Sequence, residues 1–463
     1  EALSAHASHA AWQRSLAAGS QDQSSRARCS QHGACVTWAV TCSLLARMCR
    51  ELKIDEVALE PLGDFDEVAC DKEWARVLEH ATGKPRDSAV LLLGEAIGDH
   101  MQATDDVARK GLAFCQTPGF VAEYLLDHVL VAFDRYGAHN QGRDGRAEDG
   151  SDDEDGRTAD CDQRIRLLDP ACGAGHLLVR AAQRIYTILA TGGWRAVDAI
   201  DACSDTHHDT NVVLAAWACD VVTGYEINPH CAAVARVRLA AWLLSMGPAP
   251  AEHHSAREWH AALARTLAGD GAVQVRDSLL DPGEDRFEMI VGNPPYITSK
   301  DKAQRDAIRA RYTSAHGRYG LHGPFIEAAL ERWMMPGGFM CYITANNFQK
   351  REWGKPLIEQ VLAKHDLRFV TDTSGAFIPG HGTPTCILGA RGFAAPTEVH
   401  PWASKRGRPA GTPTVCMVQG KRGEPSTPAD PSQGKVWQAI RARTAQTVGA
   451  MVREPRKPAR KAS

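Results

Sequence analysis

No run of 18 apolar residues occurs in this 463-residue chain, and its opening residues lack the charged-then-apolar order of a secretory leader. The first absence argues against a membrane-spanning helix and the second against export, so the expected location is the cytoplasm. The fourteen cysteines are then expected to be reduced thiols rather than a disulfide framework. The close paired spacing of zinc ligands is also missing. Cys29, Cys35, Cys42 and Cys49 stand too far apart, and the last three recur every seven residues, as they would on a helix burying small side chains. His207-His208 and His253-His254 are adjacent pairs that a helix would point apart, so no metal site is expected. The first 110 residues hold no clean acid pair followed by Glu-x-Lys, which leaves a nuclease without its usual carboxylates. A strong net charge is absent too, but the total of −3 conceals two opposite stretches. Nine acids fall between Asp144 and Asp162, and thirteen Lys or Arg against three acids follow Pro401. A nucleic-acid partner therefore stays open. The chain starts at Glu1 without a methionine and reads as a fragment.

What is present is globular in composition, with 44% hydrophobic and 24% charged residues. The length predicts two or three domains. Residues 1–110 carry alanine-rich stretches, among them 36–52 and 73–80, and predict a mostly helical leading domain. Residues 137–163 are rich in Gly, Asp and Arg and nearly free of apolar side chains, which predicts a disordered acidic insertion. Beyond it, strands are expected at 164–168, 220–225, 272–276, 287–292 and 338–344, with closing strands near 367–373 and 384–390. Helices are expected at 176–190, about 209–218, 229–245, near 300–311 and 321–334, and at 353–364. Such alternation predicts an α/β fold with a doubly wound, mostly parallel sheet. From residue 396 to 463 the Pro, Gly, Lys and Arg content predicts a basic linker or the truncated start of a further region.

Four strand ends carry candidate chemistry. The first strand runs into Asp169-Pro170-Ala171-Cys172-Gly173-Ala174-Gly175, a turn whose glycines allow the backbone to approach a ligand. A tight turn with no ligand is the competing reading. The next strand ends at Glu226, placed either to accept from two ribose hydroxyls or simply to start the helix after Asn228-Pro229. Asp277 follows the third strand. The apolar run Phe287 to Gly292 then meets Asn293-Pro294-Pro295-Tyr296. Two prolines stop the strand from pairing, which leaves Asn293 and Tyr296 exposed at the carboxyl edge, where open α/β sheets bind ligands. Lys300, Lys302, Arg305, Arg309 and Arg311 follow; they either grip phosphates or form a solvated face interrupted by Asp301 and Asp306.

The order Asp-Pro-Ala-Cys-Gly-Ala-Gly, Gly-Tyr-Glu-Ile-Asn-Pro, Arg-Asp-Ser-Leu, Asn-Pro-Pro-Tyr resembles the amino-group DNA methyltransferases that use S-adenosylmethionine. Phe114 to Ala122, with Thr117-Pro118 at its centre, resembles their cofactor segment and precedes the glycine turn, as in the adenine-specific branch. Tyr296 to Lys302, Ile343 to Asn346 and Asp372 to Thr385 resemble the PglX-type adenine methyltransferases of phage-growth-limitation and BREX defence systems. The resemblance covers roughly residues 110–392. It implies a Rossmann-like methyltransferase domain over 111–395, a truncated target-recognition region after it, double-stranded DNA as partner, and possible further defence subunits. It also assigns roles. Asn293 and the Pro294 carbonyl would accept from an adenine amine, with Pro295 completing the turn and Tyr296 stacking on the flipped base. Phe325 would line the base pocket, or at helical spacing belong to the core. Glu226 would hold the cofactor ribose, and Asp277 its adenine amine. Asp169, Pro170, Ala171, Gly173 and Gly175 would surround the methionine part, closed by Thr117 and Pro118. Ala174 stands where the family commonly has serine. Enzymes that methylate a protein glutamine or an RNA amine share Asn-Pro-Pro-Tyr and form a second reading; a catalytically silent DNA-binding subunit is a third.

Overall fold

The computed structural model describes residues 116–140, 165–193, 207–246, 253–267, 269, 271–379, 382–392, 416–418, 423–424 and 426–442. The expected leading domain, most of the acidic insertion and the end of the basic tail lie outside these residues. Helix α1 (Gly119–Asn140) runs past residue 137, where the insertion was expected to begin. A lone Gly137 costs a helix only about 1 kcal/mol, and no proline precedes it to force a stop. Among the described residues the chain forms two compact units, one from Thr117 and before with Asp134–Gly283, the other from Pro118–Phe133 with Glu284 onward.

The first unit contains β1 (Leu167–Asp169), α2 (His176–Ala190), α3 (His207–Val221), β2 (Val222–Glu226), α4 (Pro229–Ser245), α5 (His253–Leu267) and β3 (Val273–Val275). Its strands lie in the order β3-β2-β1 and run parallel, with Leu167 opposite Val222 and Gly224 opposite Val273. Parallel neighbours need crossover connections, and α2 to α5 supply them. Helix α2 buries Leu177, Leu178, Ala181, Ala182, Ile185 and Leu189 on one stripe. Helix α5 escapes a sequence reading because its buried stripe is narrow: Trp259, Ala262, Leu263 and Thr266 among polar neighbours.

The second unit contains β4 (Phe287–Gly292), α6 (Lys302–Arg309), α7 (His322–Ala328), β5 (Met334–Ala345), β6 (Asp366–Asp372), β7 (Thr385–Arg391) and β8 (Cys416–Val418). The strand order is β4-β5-β7-β6-β8. β4 pairs parallel to β5, and β6 parallel to β8, whereas β7 runs antiparallel to both neighbours. The whole is a mixed, mostly parallel α/β fold. Residues 354–364, expected as one helix, change winding twice, from α to π to 3-10. The basic stretch after 395 is more than a linker. β8 extends the sheet, and Trp437 is fully buried with its ring 4.8 Å from Phe120 and 5.4 Å from Tyr124.

Candidate active site

In the first unit the three strand ends are tied together by their own hydrogen bonds. Gly173 N–H donates to Glu226 Oε2 at 2.9 Å, and Asn228 N–H to Glu226 Oε1 at 2.8 Å. Cys172 N–H donates to the Tyr225 carbonyl at 3.0 Å, and Ser278 Oγ to the Pro170 carbonyl at 2.6 Å. Asp277 Oδ1 accepts from Leu279 and Leu280 N–H, both at 3.1 Å, so it shapes its own turn with one oxygen. Asp169, Pro170, Ala171, Gly173, Glu226 and Asp277 thus belong to one bonded group. Gly175 has φ +76°, and a Cβ there would lie 2.7 Å from the Ala235 Cβ on α4. That glycine admits the close helix approach at the point where α2 begins.

The electrostatics are those of buried acids. Desolvation raises Asp169 to about 7, helped by the nearby Glu226 charge and opposed by the Ala171 N–H. Desolvation also raises Glu226 to about 6, against the lowering effect of its backbone donors. The Ile227 N–H is a third backbone partner of Glu226, so the carboxylate's roughly four lone-pair sites leave room for a further donor.

Two partners of the glycine turn escaped the sequence reading. Arg238, buried on α4, donates from Nη1 to the Ala174 carbonyl at 2.9 Å, and its Nη2 lies 3.2 Å from His176 Nδ1. Gln116 Nε2 lies 3.0 Å from the same nitrogen, so the segment leading to Thr117 meets the start of α2. Burial and the charges of Arg238 and Arg180 push His176 down to about 3, leaving it neutral. The available signal was Arg238 itself, one of two arginines, with Arg236, in a mostly apolar helix. Thr117 is buried, and the Pro118 carbonyl accepts from Val121 and Ala122 to open α1.

In the second unit, β4 is buried on both faces and stops at Asn293-Pro294-Pro295-Tyr296. The Tyr296 hydroxyl donates to Asn293 Oδ1 at 2.5 Å, so the amide presents its carbonyl oxygen to a donor. The following loop is held by Leu321 N–H on the Ile297 carbonyl and Thr298 Oγ1 on the Tyr319 carbonyl, both at 2.8 Å. Arg305 Nη1 donates to the Ser299 and Lys300 carbonyls and braces the same loop. Lys302 and Arg309 both pair with Asp306, and Lys300 is exposed. Phe325 is buried, its ring 6.2 Å from that of Trp333. His322 stands edge-on to Tyr296, with Asn347 as its polar partner. Two segments far apart in sequence also meet here. Asn346 N–H donates to the Pro384 carbonyl, and its Nδ2 to Asp372 Oδ1.

Residues 222–378, which include both Glu226 and the Asn293–Tyr296 turn, match the Eco57I restriction-modification methylase family. That stretch is about a third of the chain. Outside it, the methylase likeness extends further. The chain is 32% identical over 378 residues to the adenine-specific methyltransferase PglX of Streptomyces coelicolor, covering 74% of this chain and 27% of the relative. It is 28% identical over 220 residues to the type II methyltransferase M.PaeR7I of Pseudomonas aeruginosa, covering 45% of this chain and 31% of that one. Among solved structures, the DrdV–DNA complex matches with a TM-score of 0.48 and 12% identity, over 78% of this chain and 36% of that one. The chain spans about a third or less of the length of these curated relatives.

Proposed function

We propose that the full-length protein transfers a methyl group from S-adenosylmethionine to the exocyclic amine of a flipped adenine in duplex DNA, as the modification component of a phage-defence or restriction-modification system that includes other subunits. The observation that carries this reading is the Asn293 carbonyl oxygen, held as an acceptor beside the Tyr296 ring at the end of β4. An amine that donates to Asn293 Oδ1 and to the Pro294 carbonyl is drawn out of conjugation with its ring, which leaves its lone pair available as a nucleophile. Tyr296 holds the extruded base by stacking.

The first unit's residues fit the cofactor. Glu226 is a buried carboxylate whose lone pairs are not exhausted by its backbone donors, suited to a ribose hydroxyl. Asp277, shaped into the turn after β3 by its bonds to the Leu279 and Leu280 amides, would take the adenine amine. Asp169, Pro170, Ala171, Gly173 and Gly175 offer a side-chain-poor backbone for the methionine part, with Thr117 and Pro118 on the segment that precedes α1. When bound, S-adenosylmethionine supplies an electrophilic sulfonium methyl. Lys300, exposed beside the clamp, is the first candidate for a phosphate contact, since Arg305 and Lys302 are already engaged.

Long-read sequencing of DNA from cells with and without the full-length gene tests the reading. Modified adenines in one motif are expected, and their loss in Asn293→Ala with cofactor binding retained. Unmodified DNA alongside methylated release-factor or ribosomal substrate would move the assignment to a protein or RNA amine. No methylation of any of these would leave a silent DNA-binding subunit.

A further inference from the structure

A buried side chain outside the Asn-Pro-Pro-Tyr turn stands against the Tyr296 ring. His322 opens α7, is fully buried, and stands edge-on to Tyr296, with ring centroids 6.0 Å apart and planes at 80°. Its Nε2 is 3.1 Å from Asn347 Oδ1. That oxygen can only accept, so Nε2 carries the ring proton and Nδ1 a bare lone pair. Nδ1 is buried without a hydrogen-bond partner. Trp353 closes another side of the ring at 5.2 Å and 80°. Burial pushes His322 down to about 4, so the imidazole is neutral at ordinary pH.

The surroundings are shaped to this ring. A Cβ on Gly320 would stand 2.3 Å from His322 Cε1 and 2.6 Å from Nδ1, so any side chain there would displace the imidazole. The bonds of Leu321 to Ile297 and of Thr298 to Tyr319 hold the His322 loop against the loop that carries Tyr296. A phenyl ring would fill the same space without an unpaired buried nitrogen, so packing alone does not account for histidine here.

We infer that His322 is the positioning residue of the acceptor clamp: anchored by Asn347, it fixes the Tyr296 ring in the orientation whose hydroxyl donates to Asn293. The hydroxyl is then an internal stand-in for the substrate amine. An arriving amine exchanges one hydrogen bond for another, and the Asn293 carbonyl is aimed before the base arrives. This inference rests on the reading of Asn293–Tyr296 as an amine clamp.

The test uses the full-length protein and a duplex oligonucleotide carrying the motif mapped in cells, with 2-aminopurine at the target adenine for the fluorescence arm. His322→Ala is expected to lower kcat by about 10- to 100-fold, the effect of a misplacement near 1 Å, while S-adenosylmethionine affinity stays at the wild-type value. Its bound 2-aminopurine should be brighter than in wild type, because a base no longer stacked on Tyr296 escapes quenching. His322→Phe keeps the ring edge but loses the Asn347 hydrogen bond, and should recover only part of the lost kcat. Three results overturn the inference: wild-type kcat in His322→Ala, a parallel fall of kcat, cofactor affinity and Tm, or a kcat in His322→Phe equal to that of either wild type or His322→Ala. Wild-type protein that methylates no DNA adenine would instead remove the underlying reading, and this inference with it.

Discussion

Replacing Glu226 by glutamine separates two effects that a larger deletion would merge. The carboxylate accepts Gly173 N–H at 2.9 Å on one oxygen and Asn228 N–H at 2.8 Å on the other. Glutamine keeps one acceptor and turns an NH2 toward the second amide, so one buried N–H loses its partner at about 1–3 kcal/mol. Against this, the neutral side chain escapes the desolvation that raises Glu226 from 4.5 to about 6, which at about 1.4 kcal/mol per pH unit is worth about 2 kcal/mol. The two nearly cancel, and urea unfolding at pH 7.5 should show a change within about 1 kcal/mol. Cofactor binding has no such compensation. Hydrogen bonds from ribose hydroxyls to a charged acceptor are worth about 1.5–3 kcal/mol, so S-adenosylmethionine affinity by titration calorimetry should fall about 10- to 100-fold. Affinity within about threefold of wild type would refute the ribose role. A stability loss well beyond 1 kcal/mol would refute the assigned balance between desolvation and backbone bonding.

Gly175→Ala forces a side chain into a φ of +76° and against Ala235; the strain of about 1–2 kcal/mol and the overpacking of about 1–3 kcal/mol should both appear in unfolding free energy, and an unchanged value would place the turn differently. Asp169 and Glu226 both have raised folded-state values, about 7 and about 6. Folding therefore favours their protonated forms: the associated stability is present below the unfolded values and is lost as pH rises through the folded ones. Acidifying from about pH 7.5 to 5.5 should add about 2 kcal/mol of stability from this pair, measured as the difference in slope between wild type and an Asp169→Asn, Glu226→Gln double variant; equal slopes would count against it. Trp437→Ala removes a fully buried ring packed on Phe120 and Tyr124 and should cost about 3–5 kcal/mol, whereas an unaltered unfolding curve would mean that the basic tail does not pack there.

Local pattern alone determined much of this protein. Helices α2 and α4 and strand β4 fall at 176–190, 229–245 and 287–292, as read from periodicity and apolar runs. The glycine turn, Glu226, Asp277 and the Asn293–Tyr296 turn were legible for the same reason, since glycine, proline and an acid after a strand act on their own neighbourhood. Partner choice was not legible. β7 could be read as a strand, but its antiparallel course goes with a connection, 373–384, whose described residues contain no crossover helix. β8 is a strand because β6 offers it an edge, in a stretch whose composition reads as linker. Arg238 at the Ala174 carbonyl, Asn346 at Asp372, and His322 between Tyr296 and Asn347 are bonds between groups 64, 26 and 25 residues apart. Side-chain chemistry states what a residue can donate or accept, but only packing decides which partner is within 3 Å.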